Sequence, residues 1–210
     1  MRRSSFTSLG ALLWMLALGS AVSGGEAGQA PGGPPVGGSL AGQFLVATNE
    51  LRDPRFVQTV VYMIRHDPNG AMGLVVNRPM GEGSLARLLD GLGIDSQGVG
   101  GDIRVHYGGP VEPTRGFVLH TAEYSVEGTQ AVKDGIAVTS QPEILRAIGT
   151  GSGPRRALFA IGYAGWARGQ LEGEIAAGAW VVVPADEALV FDENYGKKWE
   201  RAMARRIITL

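Results

Sequence analysis

Glycine is the residue that most narrows what this chain can fold into, filling 33 of 210 positions where about 7% is usual. A sequence of this kind calls for many turns at positive φ and many close approaches between backbones. Apolar residues still make up 44% and charged residues 19%, enough to bury the core of one 22.1 kDa chain. Nineteen basic side chains against twenty acidic ones leave a net charge of −1, which argues against a dedicated nucleic-acid binder. The absence of cysteine excludes disulfides, thiolate zinc sites, iron–sulfur clusters, cysteine nucleophiles and lipid attachment at a cysteine.

The N-terminus reads as an address. Arg2 and Arg3 precede an apolar run from Leu9 to Val22, and no further charge appears until Glu26. A basic start, an apolar stretch of about 7–15 residues and then small residues is the layout of a secretory signal. Residues 1–23 are assigned to it, with Gly19-Ser20-Ala21 an acceptable cleavage site and Ala27 or Ala30 as alternatives. The alternative is an uncleaved membrane anchor, for which the run is short, since a span needs ~20 residues. Residues 24–42 hold eight glycines and three prolines and almost no large side chain, so they read as a flexible linker. The folded domain is placed at 43–210, and its export points to the periplasm.

Within the domain, Gln43–Ala47, Val57–Ile64 and Met72–Val76 read as strands, the last two forming a hairpin across Asp67-Pro68-Asn69-Gly70. Ser84 caps a helix carrying Leu85, Leu88, Leu89 and Leu92 on one face. Ile103–Tyr107, Gly116–His120, Ile136–Thr139, Ala157–Ile161 and Trp180–Val183 are further strands. Ser140 and Glu143 have capping-box spacing ahead of a second helix. Leu171–Ala177 is a short helix and Tyr195–Arg206 a terminal one, whose Lys197, Lys198, Arg201, Arg205 and Arg206 read as a solvated face. With no repeat and no regular βαβ alternation, the pattern is α+β with a mixed sheet.

The chemistry-bearing residues are sparse. His66, His106 and His120 lack metal-binding spacing, so no metal site and no cofactor is expected. There is no Gly-x-Ser-x-Gly elbow. Gly149–Gly153 follows a helix and lacks the lysine of a phosphate-cradling loop, so it reads as a helix stop. The richest stretch runs from Gly162 through Tyr163, Trp166, Gln170 and Glu172 to Glu174. It reads as a tight turn between a buried strand and a short helix, whose terminal amides could face an anion. Glu172 and Glu174, two apart, do not share a helix face and are poorly placed as a catalytic pair.

Three blocks in chain order resemble the YqgE/AlgH family. They are Gly42–Ala47 with Asp53-Pro54-Arg55-Phe56, His66-Asp67 and Gly70–Pro79; then Gly108–Val111 and Gly116–His120; then Gly162–Trp166 with Gly169–Glu172. The resemblance covers the domain from about Leu40 onward. It implies a single domain with a mixed, branched and partly barrelled sheet surrounded by helices, and it carries over no catalytic residue. Arg65 stands where the pattern commonly has Glu. Family members usually lack a leader, so residues 1–42 set this chain apart.

The reading that follows is a non-enzymatic binding or regulatory module outside the cytoplasm, taking a protein partner or a small anion. Candidate contact residues are His66, Asn77, His120, Trp166, Gln170 and Glu172. The alternative is a hydrolase-type enzyme that gathers His66, His120 and Glu172 with Asn77. A second alternative, a transcriptional regulator, rests on the family label. Nucleic acid is disfavoured by the charge balance, and a membrane is engaged only if the leader stays uncleaved. N-terminal sequencing of the protein from a fractionated host is expected to find a periplasmic chain starting between Val22 and Gly24; the full-length chain in the cytosol would remove the leader.

Overall fold

Strands whose residues are buried on both faces read as unbroken apolar runs, and that accounts for the first three here. In the computed structural model these are β1 (Gln43–Ala47), β2 (Val60–Asp67) and β3 (Gly70–Val75). Phe44, Val46, Val60, Tyr62, Ile64 and Leu74 enter one core, while Leu45, Ala47, Val61, Met63, Ala71 and Val75 enter another. Successive side chains point to opposite faces, so one run supplies both. The structure describes residues 38–206; the leader at 1–23 and the linker up to residue 37 lie outside the described residues.

The remaining strands are β4 (Pro79–Ser84), β5 (Asp102–Tyr107), β6 (Val111–Thr121), β7 (Gln130–Lys133), β8 (Ile136–Thr139), β9 (Ala157–Ala167) and β10 (Trp180–Pro184). Their order is β10-β1-β2-β3-β9-β6-β8-β7, with β5 also pairing β9, and β4 hydrogen-bonded to β5 alone. The β5–β9 pairing is parallel and the others are antiparallel. The sheet is therefore mixed and branched, and it curls into a half-barrel with helices around it, the α+β architecture expected. The branch sits at Gly108, whose N–H donates to Ile161 O at 2.8 Å while its carbonyl accepts from Val75 N at 2.9 Å. A Cβ at Gly108 would overlap the Gly162 carbonyl oxygen, and one at Gly109, with φ +153°, would overlap the Tyr163 carbonyl carbon. Three strands meet here only because these two side chains are absent.

Helices α1 (Leu85–Gly91) and α2 (Glu143–Gly149) cover a third cluster of Leu85, Leu89, Ile144 and Leu145 with Val118 and Phe159. Ser84 caps α1 by accepting from Arg87 N. The expected capping box at α2 does not form: Pro142 is the N-cap and makes no side-chain cap bond. The second strand starts later than expected because Asp53-Pro54 opens a 3₁₀ turn at Pro54–Phe56, with Asp53 accepting from Arg55 N. The largest correction concerns Gly162–Ala167, read as a turn. It continues β9, because Tyr163 pairs with Val111 of β6 and Ala164–Ala167 pair with Gly70–Gly73 of β3, and only Arg168-Gly169 remains before α3 (Gln170–Ala176). β4, with Pro79, Gly81 and Gly83, carries too little β-propensity to be seen in advance.

Helix α4 (Glu187–Val190) and helix α5 (Tyr195–Met203) close the main core. Trp199 Nε1 donates to Ala47 O at 2.8 Å, docking α5 on β1. Its cations are not a uniform solvated face. Lys197 pairs with Glu200, Arg201 with Asp192 and Arg205 with Asp186, so little free positive charge is left for a nucleic acid. Lys198 is instead fully buried, its Nζ donating to Val76 O at 2.8 Å and Val190 O at 2.9 Å above the Tyr195 ring. Nearby His106 donates from Nδ1 to Phe159 O and leaves Nε2 unpaired.

Burial pushes the Lys198 ammonium down to about 7, against about 10.4 unfolded. Between these values the unfolded chain binds the extra proton, so stability rises with pH across that window. Urea unfolding is expected to show a gain on the order of 3 kcal/mol from pH 6.5 to 9.5. Lys198→Met is expected to flatten that rise; an unchanged slope would show that the amine is charged in the folded state.

Candidate functional site

The richest sequence stretch does converge on one place, the junction of β9, α3 and β10, and it does so through Glu174. Its Oε2 accepts from Trp166 Nε1 at 2.9 Å and from Trp180 Nε1 at 2.7 Å, and its Oε1 accepts from Gln170 Nε2 at 2.9 Å. Gln170 and Glu174 meet because residues four apart lie on one helix face. The Gln170 carbonyl also takes the Ala167 N–H. Trp166 and Trp180 pack edge to face with centroids 5.9 Å apart, and Phe56 packs the same way on Trp180 at 5.6 Å. Trp166 is thus turned inward, 7% exposed.

Around this hub lies a cleft of about 120 Å³, lined by Leu51, Asp53, Arg55, Phe56, Pro110, Gly165, Trp166, Gln170, Glu174 and Trp180. Asp53 and Arg55 pair at its mouth at 2.7 Å, and the Arg55 bond holds the Asp53 carboxyl below its ordinary value. Arg55 also borders an open groove of about 370 Å³ formed with Arg78, Pro79, Met80 and Tyr107.

His66 and Glu172 form a second arrangement on the other side of α3. His66 Nδ1 accepts the Leu40 N–H at 3.1 Å, so Nε2 carries the proton and donates to Glu172 Oε1 at 3.1 Å. Ser39 Oγ donates to the His66 carbonyl at 2.9 Å. The pair therefore fastens the incoming chain at Ser39-Leu40 to α3. Its own backbone N–H and His66 hold the Glu172 carboxyl below its ordinary value.

The other candidates lie elsewhere. His120 is on β6, level with Ala157 of β9, whereas His66 is level with Ala71 and through it with Trp166. The two rows are nine residues apart along β9, about 30 Å of strand, so the structure does not bring His120 to His66 and Glu172. His120 is fully buried, donating from Nδ1 to Thr121 O and accepting at Nε2 from Thr139; burial pushes it below its ordinary value and keeps it neutral. Asn77 also has a local task, accepting from Val60 N at 2.9 Å and donating to Gln58 O at 2.8 Å. It pins the loop at Val57–Thr59, where Gln58 has φ 52°.

Sequence reasoning missed Glu174, Trp180, Phe56 and Arg55 as parts of one cleft. The Gln170–Glu174 spacing was the available signal; the approach of Trp180 and Phe56 depends on sheet order. Among the described residues, no three His, Asp or Glu side chains cluster to hold a metal ion, and no helix is long and apolar enough to cross a membrane.

These features define a half-barrel α+β domain whose tryptophan cleft is braced by a carboxylate. A sequence profile of the AlgH-like family matches residues 44–210, and the chain belongs to that family. A UPF0301 protein of Rhodospirillum rubrum is 48% identical over 168 residues, 80% of this chain and 88% of its own. A counterpart from Afipia carboxidovorans is 44% identical over 174 residues, 79% and 83% of the two chains. The solution structure of AlgH from Pseudomonas aeruginosa superposes with a TM-score of 0.69 at 38% identity, covering 84% of this chain and 92% of that one. A Corynebacterium diphtheriae protein, 21% identical with a TM-score of 0.61 over 80% and 87% of the chains, shares the fold.

The Glu174 hub makes a direct expectation. Glu174→Leu leaves two buried indole N–H groups without an acceptor, at about 1–3 kcal/mol each. A loss of about 2–6 kcal/mol in urea unfolding is expected, with a shift in tryptophan emission; Glu174→Gln, which keeps an acceptor oxygen, should lose less than half as much.

Proposed function

We propose that this domain is a binding module rather than an enzyme, and that it holds a side chain of a partner protein in the tryptophan cleft. The observation that carries the reading is that the polar groups suited to acid–base work are already engaged by the protein, save Nε2 of His106, which is buried and does not line the cleft. Both ring nitrogens of His66 and of His120 have partners, and so do both carboxylate oxygens of Glu174. A general base needs a free lone pair within hydrogen-bond reach of its substrate. The cleft's ~120 Å³ is far below the ~300–1,000 Å³ of sites for drug-sized ligands, and it suits one side chain. A small anion is the weaker choice, because Glu174 and Asp53 line the cleft and Gln170 occupies the Ala167 amide.

The place of action follows from the leader read in residues 1–23: outside the cytoplasm, with the linker as a tether. Photo-crosslinking in cells tests the module. A benzophenone amino acid replacing exposed Gln170 is expected to give a discrete adduct in the envelope fraction, while the same label at exposed Glu127 gives none. Equal labelling from both positions, or turnover by the purified protein that is lost in His66→Gln, would reverse the assignment.

A further inference from the structure

Beside the cleft, the groove at β4 carries a charge that the protein does not balance. Arg78 is half-buried and donates to the carbonyls of Arg55 and Val57. A guanidinium has five N–H donors, so most of its fork is left over. No carboxylate pairs with it among the described residues, whereas neighbouring Arg55 has Asp53 and Arg104 has Glu82 and Glu193. The contrast shows in their acidities: carboxylate partners raise Arg55, while burial alone lowers Arg78. A half-buried cation in this state favours an incoming anion.

The strand that begins next to it is open. β4 is hydrogen-bonded to β5 on one side only, and Pro79 to Gly83 are all exposed. A free strand edge is a template for another strand. The register shift between Pro79 and Gly81 marks a bulge at Met80, which stands 64% exposed on the groove; bulges re-aim side chains in this way. Val57, 56% exposed, lies on the loop whose carbonyl Arg78 holds. Glu82 shares Arg104 with Glu193, which leaves one acidic charge at that end of the edge, so the favourable place for the segment's carboxylate is Arg78.

We propose that this groove docks an extended, acidic segment of a partner protein, which adds as a strand along Gly81–Ser84 and places a carboxylate on Arg78. The proposal rests on the reading of the domain as a binding module but uses a different surface from the tryptophan cleft. Met80 and Val57 supply apolar contact for alternate side chains of the segment, and the bulge at Met80 ends the new pairing.

The test is fluorescence anisotropy on the full domain with labelled hexapeptides that alternate valine with glutamate, glutamine or lysine. The glutamate peptide is expected to bind at least ten-fold more tightly than the glutamine peptide, with no measurable binding of the lysine peptide. Its affinity should fall by a factor of about 2–5 between 0.05 and 0.5 M salt, as screening of one ion pair requires. Arg78→Lys keeps charge but loosens the Arg55–Val57 loop, so the decisive variant is Met80→Glu at an exposed position, expected to weaken the glutamate peptide at least ten-fold with unchanged thermal unfolding. Amide exchange should slow along 79–84 when that peptide is bound. Equal affinity for the three peptides, no binding of any, or binding without protection of β4 would each overturn the proposal. So would self-association of the free domain that Met80→Glu abolishes, which would make a second copy the occupant. If the peptides fail in any of these ways while crosslinking from Gln170 persists, the binding module stands and the groove reading alone falls.

Discussion

The structure depends on one close crossing of backbones, where Gly108 and Gly109 pass Gly162 and Tyr163. β9 there accepts β5 on one part of its edge and β3 on the next, with β6 on the other side. Gly108 serves both edge neighbours, donating to β9 and accepting from the end of β3. A side chain at either glycine would push these strands apart, and the sheet would lose its branch. The branch in turn decides which residues meet. It sets Gly165 and Trp166 of β9 opposite Ala71 and Met72 of β3, so the strand that leaves the crossing delivers Trp166 to α3.

From that delivery the cleft follows. The turn after β9 is two residues long, so Gln170 and Glu174 come back over the strand they have just left. Trp180, at the start of β10, arrives from the other end of the helix, and the two indoles share one carboxylate oxygen. This is a rigid arrangement: three donors on one carboxylate fix its rotamer, and perpendicular aromatic packing fixes the rings. Glu172, two residues before Glu174, faces away and binds His66 instead. One short helix therefore braces the cleft with one carboxylate and fastens the entering chain with the other.

The sequence made legible those elements whose cause is local. Ser84 and the leucine spacing after it place α1, and Asp67-Pro68-Asn69-Gly70 places the hairpin between β2 and β3. It also identified the block around Trp166, because glycine and tryptophan in one short stretch point to close packing. Elements whose cause is distant were not legible. Gly162–Ala167 looks like a turn until β3 is laid beside it, and β4 is held by β5 against the preferences of its own residues. Lys198 resembles its cationic neighbours in sequence, yet the carbonyls of Val76 and Val190 and the Tyr195 ring that enclose it come from three segments. His66 and His120 looked like partners for lack of any sequence signal that nine residues of β9 separate their rows.

Two cations are handled in opposite ways, and the difference bears on function. Lys198 sits where no solvent or anion can reach it, and burial pushes its ammonium down to about 7, so its charge can be relieved by losing a proton while two carbonyls still accept from the amine. Arg78 has no such escape, because a guanidinium stays charged in any protein environment. The carbonyls of Arg55 and Val57 offset its desolvation in part, and none of the described residues adds a carboxylate. The same residue lies beside a strand whose outer edge is unpaired and a methionine that points away from every core. Each feature alone is tolerable on a protein surface. Together on one groove they form a set of unmet interactions, cationic, hydrogen-bonding and apolar, that a single extended acidic segment would satisfy at once.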